Sequence, residues 1–115
     1  MQKLLKDTFI KYGFNLTEKQ IDQFETYYNY LIEENQKFNL TAITVKEEVV
    51  VKHFVDSVLP AKDIPQNASV IDVGTGAGFP GLPLKILRPD LKITLLDSLN
   101  KRVEFLKRLV EMLYF

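Results

Sequence analysis

The chain has 115 residues, 46% hydrophobic and 26% charged, which is the size and balance of one small globular domain. Fifteen Lys and Arg cancel fifteen Asp and Glu, so there is no bulk positive field for nucleic acid, and any RNA contact needs a local patch. No cysteine and a single histidine exclude disulfides and argue against a metal site, and no apolar run approaches the about 20 residues of a membrane span.

Met1-Gln2-Lys3, followed by mixed charges, does not read as a signal peptide, so cytoplasmic is the default location. Residues 2–12 carry Leu4, Leu5, Phe9, Ile10 and Tyr12 at helical spacing, with Gly13 as the terminator. Thr17-Glu18-Lys19-Gln20 reads as a capping box. The helix it opens shows one apolar stripe, Ile21, Phe24, Tyr27/Tyr28, Leu31 and Ile32, and is predicted to run to about Lys37. Aromatic residues at that spacing are expected in the core. Phe38-Asn39-Leu40-Thr41 breaks the pattern with turn formers, and Thr44-Val45-Lys46-Glu47 is a second capping box. The next helix places Val49, Val50, His53, Phe54 and Val58 on one side and is expected to stop before Pro60. His53 and Asp56, three apart, share a face and can meet each other or a ligand. Ala61 to Ala68 is a surface link.

From Ser69 the pattern changes. A short apolar run, Val70 to Val73, leads into Gly74-Thr75-Gly76-Ala77-Gly78, then a proline-bounded apolar segment from Pro80 to Leu87, then Lys92 to Leu96 and Asp97. Strand, glycine turn, helix, strand, acid is the unit that holds a nucleoside cofactor against a parallel sheet. Two registers fit the glycines. Gly76, Gly78 and Gly81 match the dinucleotide fingerprint of an NAD-dependent oxidoreductase. Gly74, Gly76 and Gly78, with Asp72 two residues before them, match the acid-x-G-x-G-x-G turn of S-adenosylmethionine-dependent methyltransferases. The second is favoured, because Asp72 would repel a pyrophosphate but suits the cationic amino acid end of S-adenosylmethionine. Asp97, 19 residues after Gly78, stands where an acid can accept ribose hydroxyl protons.

Ser98-Leu99-Asn100 starts a final helix with Val103, Leu106, Leu109, Val110 and Leu113 inward, and Lys101, Arg102, Lys107 and Arg108 outward, where they can meet RNA phosphates. Two strands around one crossover helix cannot bury both faces of a sheet. The expected architecture is therefore α/β: an N-terminal helical segment, residues 1–60, followed by residues 61–115 as the first half of a Rossmann-type domain, the two forming one structural unit. For a chain ending at Phe115 the expectation is an oligomer, with another copy filling the gap, or a largely helical, truncated fragment with poorly ordered strands, inactive in either state.

FNLTAI (Phe38 to Ile43), HFVDS (His53 to Ser57) and VIDVGTGAGFPGLPLKILRPDLKITLLDSLNKRVEFL (Val70 to Leu106) together closely resemble the small-subunit rRNA guanine-7 methyltransferase G family, also called glucose-inhibited division protein B. The resemblance covers essentially the whole chain. It implies a methyltransferase-type Rossmann fold, incomplete in these 115 residues, and methyl transfer from S-adenosylmethionine to guanine-7 of 16S rRNA, free or in the small ribosomal subunit. It further implies that Gly74, Gly76 and Gly78 form the cofactor turn, that Phe79 packs beside the cofactor, that Asp72 lies under its amino acid end, and that Asp97 takes the ribose. His53, Asp56, Lys101 and Arg102 are the candidate substrate contacts. No general base is expected, since a guanine ring nitrogen carries a lone pair without deprotonation.

Overall fold

The structure is a computed structural model that describes residues 1–38 and 45–115, the side chain of Phe38 excepted. The turn at Asn39-Leu40-Thr41 and the capping hydroxyl of Thr44 lie outside the described residues. In chain order the elements are α1 (Gln2–Lys11), α2 (Glu18–Phe38), a composite helix α3, strand β1 (Ser69–Val73), α4 (Gly81–Leu87), β2 (Lys92–Leu96) and α5 (Asn100–Leu113). Helix α3 begins as Lys46–Glu48, widens into a π-helical stretch at Val49–Val55, narrows again at Asp56–Val58 and ends in a 3-10 turn, Leu59–Asp63. The helical path thus passes Pro60 instead of stopping before it. Proline falls in the first turn of the 3-10 segment, where its missing N–H has no role.

Helix α2 is the element on which the others converge. Upstream, Gly13 ends α1 with φ +89°, and the amides of Phe14 and Gly13 donate to the carbonyls of Phe9 and Ile10 in a Schellman closure. The capping box forms as expected: Thr17 N–H donates to Gln20 Oε1 at 2.9 Å, and Gln20 N–H to Thr17 Oγ1 at 3.1 Å. Gln20 does a second job, because its Nε2 donates to the carbonyls of Ile86 and Leu87 at the end of α4 (3.1 and 3.2 Å). Gln23 Nε2 likewise caps the last turn of α5 through the Leu113 carbonyl at 2.6 Å. Two glutamines on α2 therefore satisfy helix-end carbonyls that would otherwise be orphaned.

The apolar stripe of α2 is buried, with Phe24, Tyr27 and Leu31 fully enclosed and Ile32 only half-buried at its edge. Phe24 packs between Phe9 of α1 (4.9 Å between ring centroids) and Phe54 of α3 (5.0 Å). Ile10 and Tyr12, grouped with the apolar side of α1, are exposed, and only Leu5 and Phe9 are fully buried there. On α5 the buried residues are Phe105, Leu106, Leu109 and Leu113, whereas Val110 is 38% exposed. The buried face is the one that includes Phe105, which stacks on Tyr30 of α2 (5.3 Å, 5° between planes), and Val110 lies at its rim. Arg108, expected outward, donates from Nε to the Tyr30 hydroxyl at 2.9 Å.

The two strands are parallel, with Ser69 opposite Lys92 and Val73 opposite Leu96. Their alternation splits the sheet cleanly. Asp72, Ile93 and Leu95 face α4, while Ile71, Val73 and Leu96 on the other face are 65%, 77% and 48% exposed. The link before β1 is more than a surface connection. Arg88 donates to the carbonyls of Ala61 (2.6 Å) and Ile64 (3.0 Å), and pairs bidentately with Asp90 (2.8 Å each). Asp90 in turn accepts the amide of Asn67, a residue at φ +61°, at 2.8 Å. This network brings Asp90 well below the usual carboxylate range, chiefly through the Arg88 guanidinium.

Candidate functional site

The site is built where β1 ends. Gly74 and Thr75 both donate their amides to the Leu96 carbonyl (2.8 and 3.0 Å), hooking the turn over the end of β2. Gly74, Gly76 and Gly78 all have positive φ (+69°, +59° and +98°). Their surroundings divide them. A Cβ at Gly74 or Gly76 would meet nothing within 4 Å, so the backbone there faces open space. At Gly78 a Cβ would lie 2.6 Å from the Tyr27 hydroxyl and 2.8 Å from Leu82, so this glycine is packed inward. Gly81 is the first residue of α4, where a Cβ would lie 2.4 Å from Leu95 Cδ2 and 3.0 Å from Asp72 Oδ2. Close helix–strand packing is also what a dinucleotide site asks of its third glycine, so Gly81 by itself does not separate the two registers.

Asp72 organises the turn from beneath. Its Oδ2 accepts the Thr75 hydroxyl at 2.7 Å and the Gly81 amide at 3.0 Å, joining strand end, turn and helix start through one oxygen. Asp97 holds the other side. Its Oδ2 accepts the Gly76 amide at 2.9 Å, its Oδ1 accepts the Leu99 amide at 3.0 Å, and Arg102 stands 3.7 Å away. The carboxylate is only 2% exposed. The Leu99 amide, then the Gly76 amide and Arg102, lower its pKa against the opposing effect of burial.

Phe79, at the end of the turn, stacks with two rings. Tyr27 stacks on it at 5.5 Å and 10°, and His53 at 4.4 Å and 7°. The peptide bond from Phe79 to Pro80 is cis. Burial lowers the His53 pKa, against the opposing charge of Asp56, which favours the neutral imidazole beside the phenyl ring. His53 and Asp56 line a cleft of about 350 Å³ with Lys52, Ser57, Pro60, Phe79 and Pro80. The Ser57 hydroxyl donates back to the His53 carbonyl.

The structure therefore brings Asp72, Gly74, Gly76, Gly78, Phe79 and Asp97 around one turn, with His53 and Asp56 at its Phe79 end. Lys101 and Arg102 line a different depression with Leu99 and Asn100; Arg102 reaches Asp97, and neither residue lines the His53 cleft. Two residues escaped the sequence reading. Thr75 is buried and bonded to Asp72, and Tyr27 belongs to a stripe that spacing identifies only as core. Among the described residues, no group of three or more His, Cys, Asp or Glu could hold a metal, and no helix is long and apolar enough to cross a membrane.

Residues 20–115 match the family described as GidB, rRNA small subunit methyltransferase G. Proteins named ribosomal RNA small subunit methyltransferase G are similar to the chain in Alkaliphilus metalliredigens (56% identical over 106 residues, 90% of this chain and 44% of the relative) and in Desulforamulus reducens (54% over 111 residues, 95% and 46%). A third, from Carboxydothermus hydrogenoformans, is 52% identical over 112 residues, covering 96% of this chain and 47% of the relative. The chain spans about half the length of the curated relatives it matches, and it belongs to the rRNA small subunit methyltransferase G family.

Proposed function

We propose that the protein carrying this chain transfers a methyl group from S-adenosylmethionine to guanine-7 of 16S rRNA, free or within the small ribosomal subunit, in the cytoplasm. The β–α–β unit is then the first half of a Rossmann-type methyltransferase domain, preceded by the helices of residues 1–60. The observation that carries the reading is the turn itself: Gly74 and Gly76 present backbone at positive φ to open space, at the carboxyl ends of two parallel strands. That is the crevice in which α/β sheets bind ligands.

A cofactor cradled by Gly74 and Gly76 fits this geometry, since no side chain competes for the space. Asp72 lies beneath the turn as a fixed negative charge suited to the cofactor's amino acid end. Asp97 would take the ribose: each of its oxygens already accepts one amide, which leaves lone pairs for hydroxyl donors. Phe79 supplies an apolar wall beside the turn. His53 and Asp56 border the adjoining cleft as substrate contacts, and Lys101 and Arg102 serve RNA phosphates. When bound, S-adenosylmethionine supplies an already activated methyl group. The protein's contribution is then to hold two reactants in line, which supplies most of the rate.

The test is calorimetric titration of the full-length protein with S-adenosylmethionine and with NAD, followed by methyl transfer to 16S rRNA and mapping of the modified nitrogen. Binding of the first cofactor alone, with methyl at guanine-7, is the expected result. Binding of NAD, or transfer to another position, overturns the corresponding part of the reading.

A further inference from the structure

One residue packed against the glycine turn comes from α2, 50 positions earlier in the chain. The Tyr27 hydroxyl donates to the Ala77 carbonyl at 2.5 Å, and both residues are buried. The same oxygen occupies the space that a Cβ on Gly78 would need. The ring stacks on Phe79, and Phe79 also stacks with His53, which lines the cleft. Tyr27 thereby touches three consecutive residues of the turn, 77 through 79, from the side opposite the open face of Gly74 and Gly76.

We infer that Tyr27 is a positioning residue for the cofactor turn, its hydroxyl fixing the Ala77 carbonyl and its ring fixing Phe79. This rests on the proposal that the turn holds S-adenosylmethionine. The physical logic is preorganisation. A turn with three glycines is conformationally permissive, and freezing it only when ligand arrives would cost affinity. A buried hydroxyl with a carbonyl partner freezes it beforehand. Burial, with a smaller contribution from the charge of Asp72, raises the Tyr27 pKa well above its ordinary value, so the hydroxyl keeps its proton and remains a donor across the working pH range. The ring alone would fill the core equally well as phenylalanine; the hydroxyl is what the turn uses.

The experiment is Tyr27→Phe in the full-length protein, read by three measurements. Affinity for S-adenosylmethionine should fall about three- to tenfold, the effect of one net hydrogen bond. Amide hydrogen exchange across Gly74–Phe79 should speed up while that of α2 stays unchanged. The KM for RNA at saturating cofactor should also stay unchanged. Unaltered exchange in the turn, or unaltered cofactor affinity in a variant with faster exchange, overturns the inference. A variant that fails to fold also overturns it, because the hydroxyl would then be a determinant of the core. If the wild type itself does not bind S-adenosylmethionine, the cofactor reading fails and with it Tyr27's role at a cofactor turn, while the exchange measurement still decides whether Tyr27 pins the turn.

Discussion

The amide of Gly76 donates a 2.9 Å hydrogen bond to Oδ2 of Asp97, so the tip of the glycine turn and the end of β2 hold each other in place. An acid merely facing a cleft could be removed at little cost to the fold. Asp97 cannot, because it also accepts the Leu99 amide that opens α5. We expect Asp97→Ala to weaken S-adenosylmethionine binding by about 1.5–3 kcal/mol, the range for a hydrogen bond to a charged group, and to lower the melting temperature as well. Asp97→Asn, which keeps one accepting oxygen, should fall between. Calorimetry and thermal melting on the same samples check both effects; a variant with unchanged melting would mean the two amides find other partners.

Gly76 and Gly81 should fail in opposite ways. Gly76→Val places a branched side chain into open space at φ +59°, so it should abolish cofactor binding while the protein still folds, at a backbone cost of about 1–2 kcal/mol. Gly81→Ala drives a methyl into Leu95 and the Asp72 carboxylate, so it should destabilise the fold by about 1–3 kcal/mol as overpacking does. Melting curves and titrations of the two variants distinguish them. A folded Gly76→Val protein with unchanged affinity would remove the turn from the site.

The sequence shows the turn, its acids and the spacing of both strands because these are local: glycine alternation and period-two apolar runs lie within 30 residues. The capping box at Thr17 and Gln20 was equally plain. What could not be read was long range. Nothing in the stripe of α2 says that Tyr27 reaches Ala77, or that Gln20 and Gln23 cap α4 and α5, since those partners are 50 to 90 residues away. Val110 was misplaced for the same reason. Helical spacing selects an apolar side, but its exact rotation depends on long-range packing such as that of Phe105 on Tyr30.

Stability should decline with acid in two steps. The folded-state pKa of His53 is lowered, by burial first, with Asp56 opposing. As pH falls below about 6.5 the unfolded state takes up this proton more readily, so stability is full above that value and is lost as pH drops through the folded-state value. Asp97 and Asp90 are also lowered, Asp97 first by the Leu99 amide and Asp90 first by Arg88. Their contribution is complete above the ordinary carboxylate range and is lost below about pH 4. His53→Phe keeps a flat ring against Phe79 and should erase the first step only. Urea midpoints measured from pH 8 to pH 3 check this, and a first step that survives in His53→Phe would assign it to another group.

The uncovered side of the sheet carries the last prediction. Ile71, Val73 and Leu96 project from it, none of them less than 48% exposed, in a parallel sheet of the kind normally covered on both faces. Contiguous apolar surface of this sort drives association unless something covers it. Residues 1–115 expressed alone should therefore self-associate in a concentration-dependent way, and should not methylate 16S rRNA. Val73→Lys tests the cause, since Val73 is the most exposed of the three and a cation there leaves the α4-facing side untouched. It should shift the light-scattering mass toward a single copy without lowering the melting temperature appreciably. A wild-type segment that stays monomeric at high concentration would show that this face does not associate, and measurable methyl transfer by that monomer would show that these residues alone complete the site.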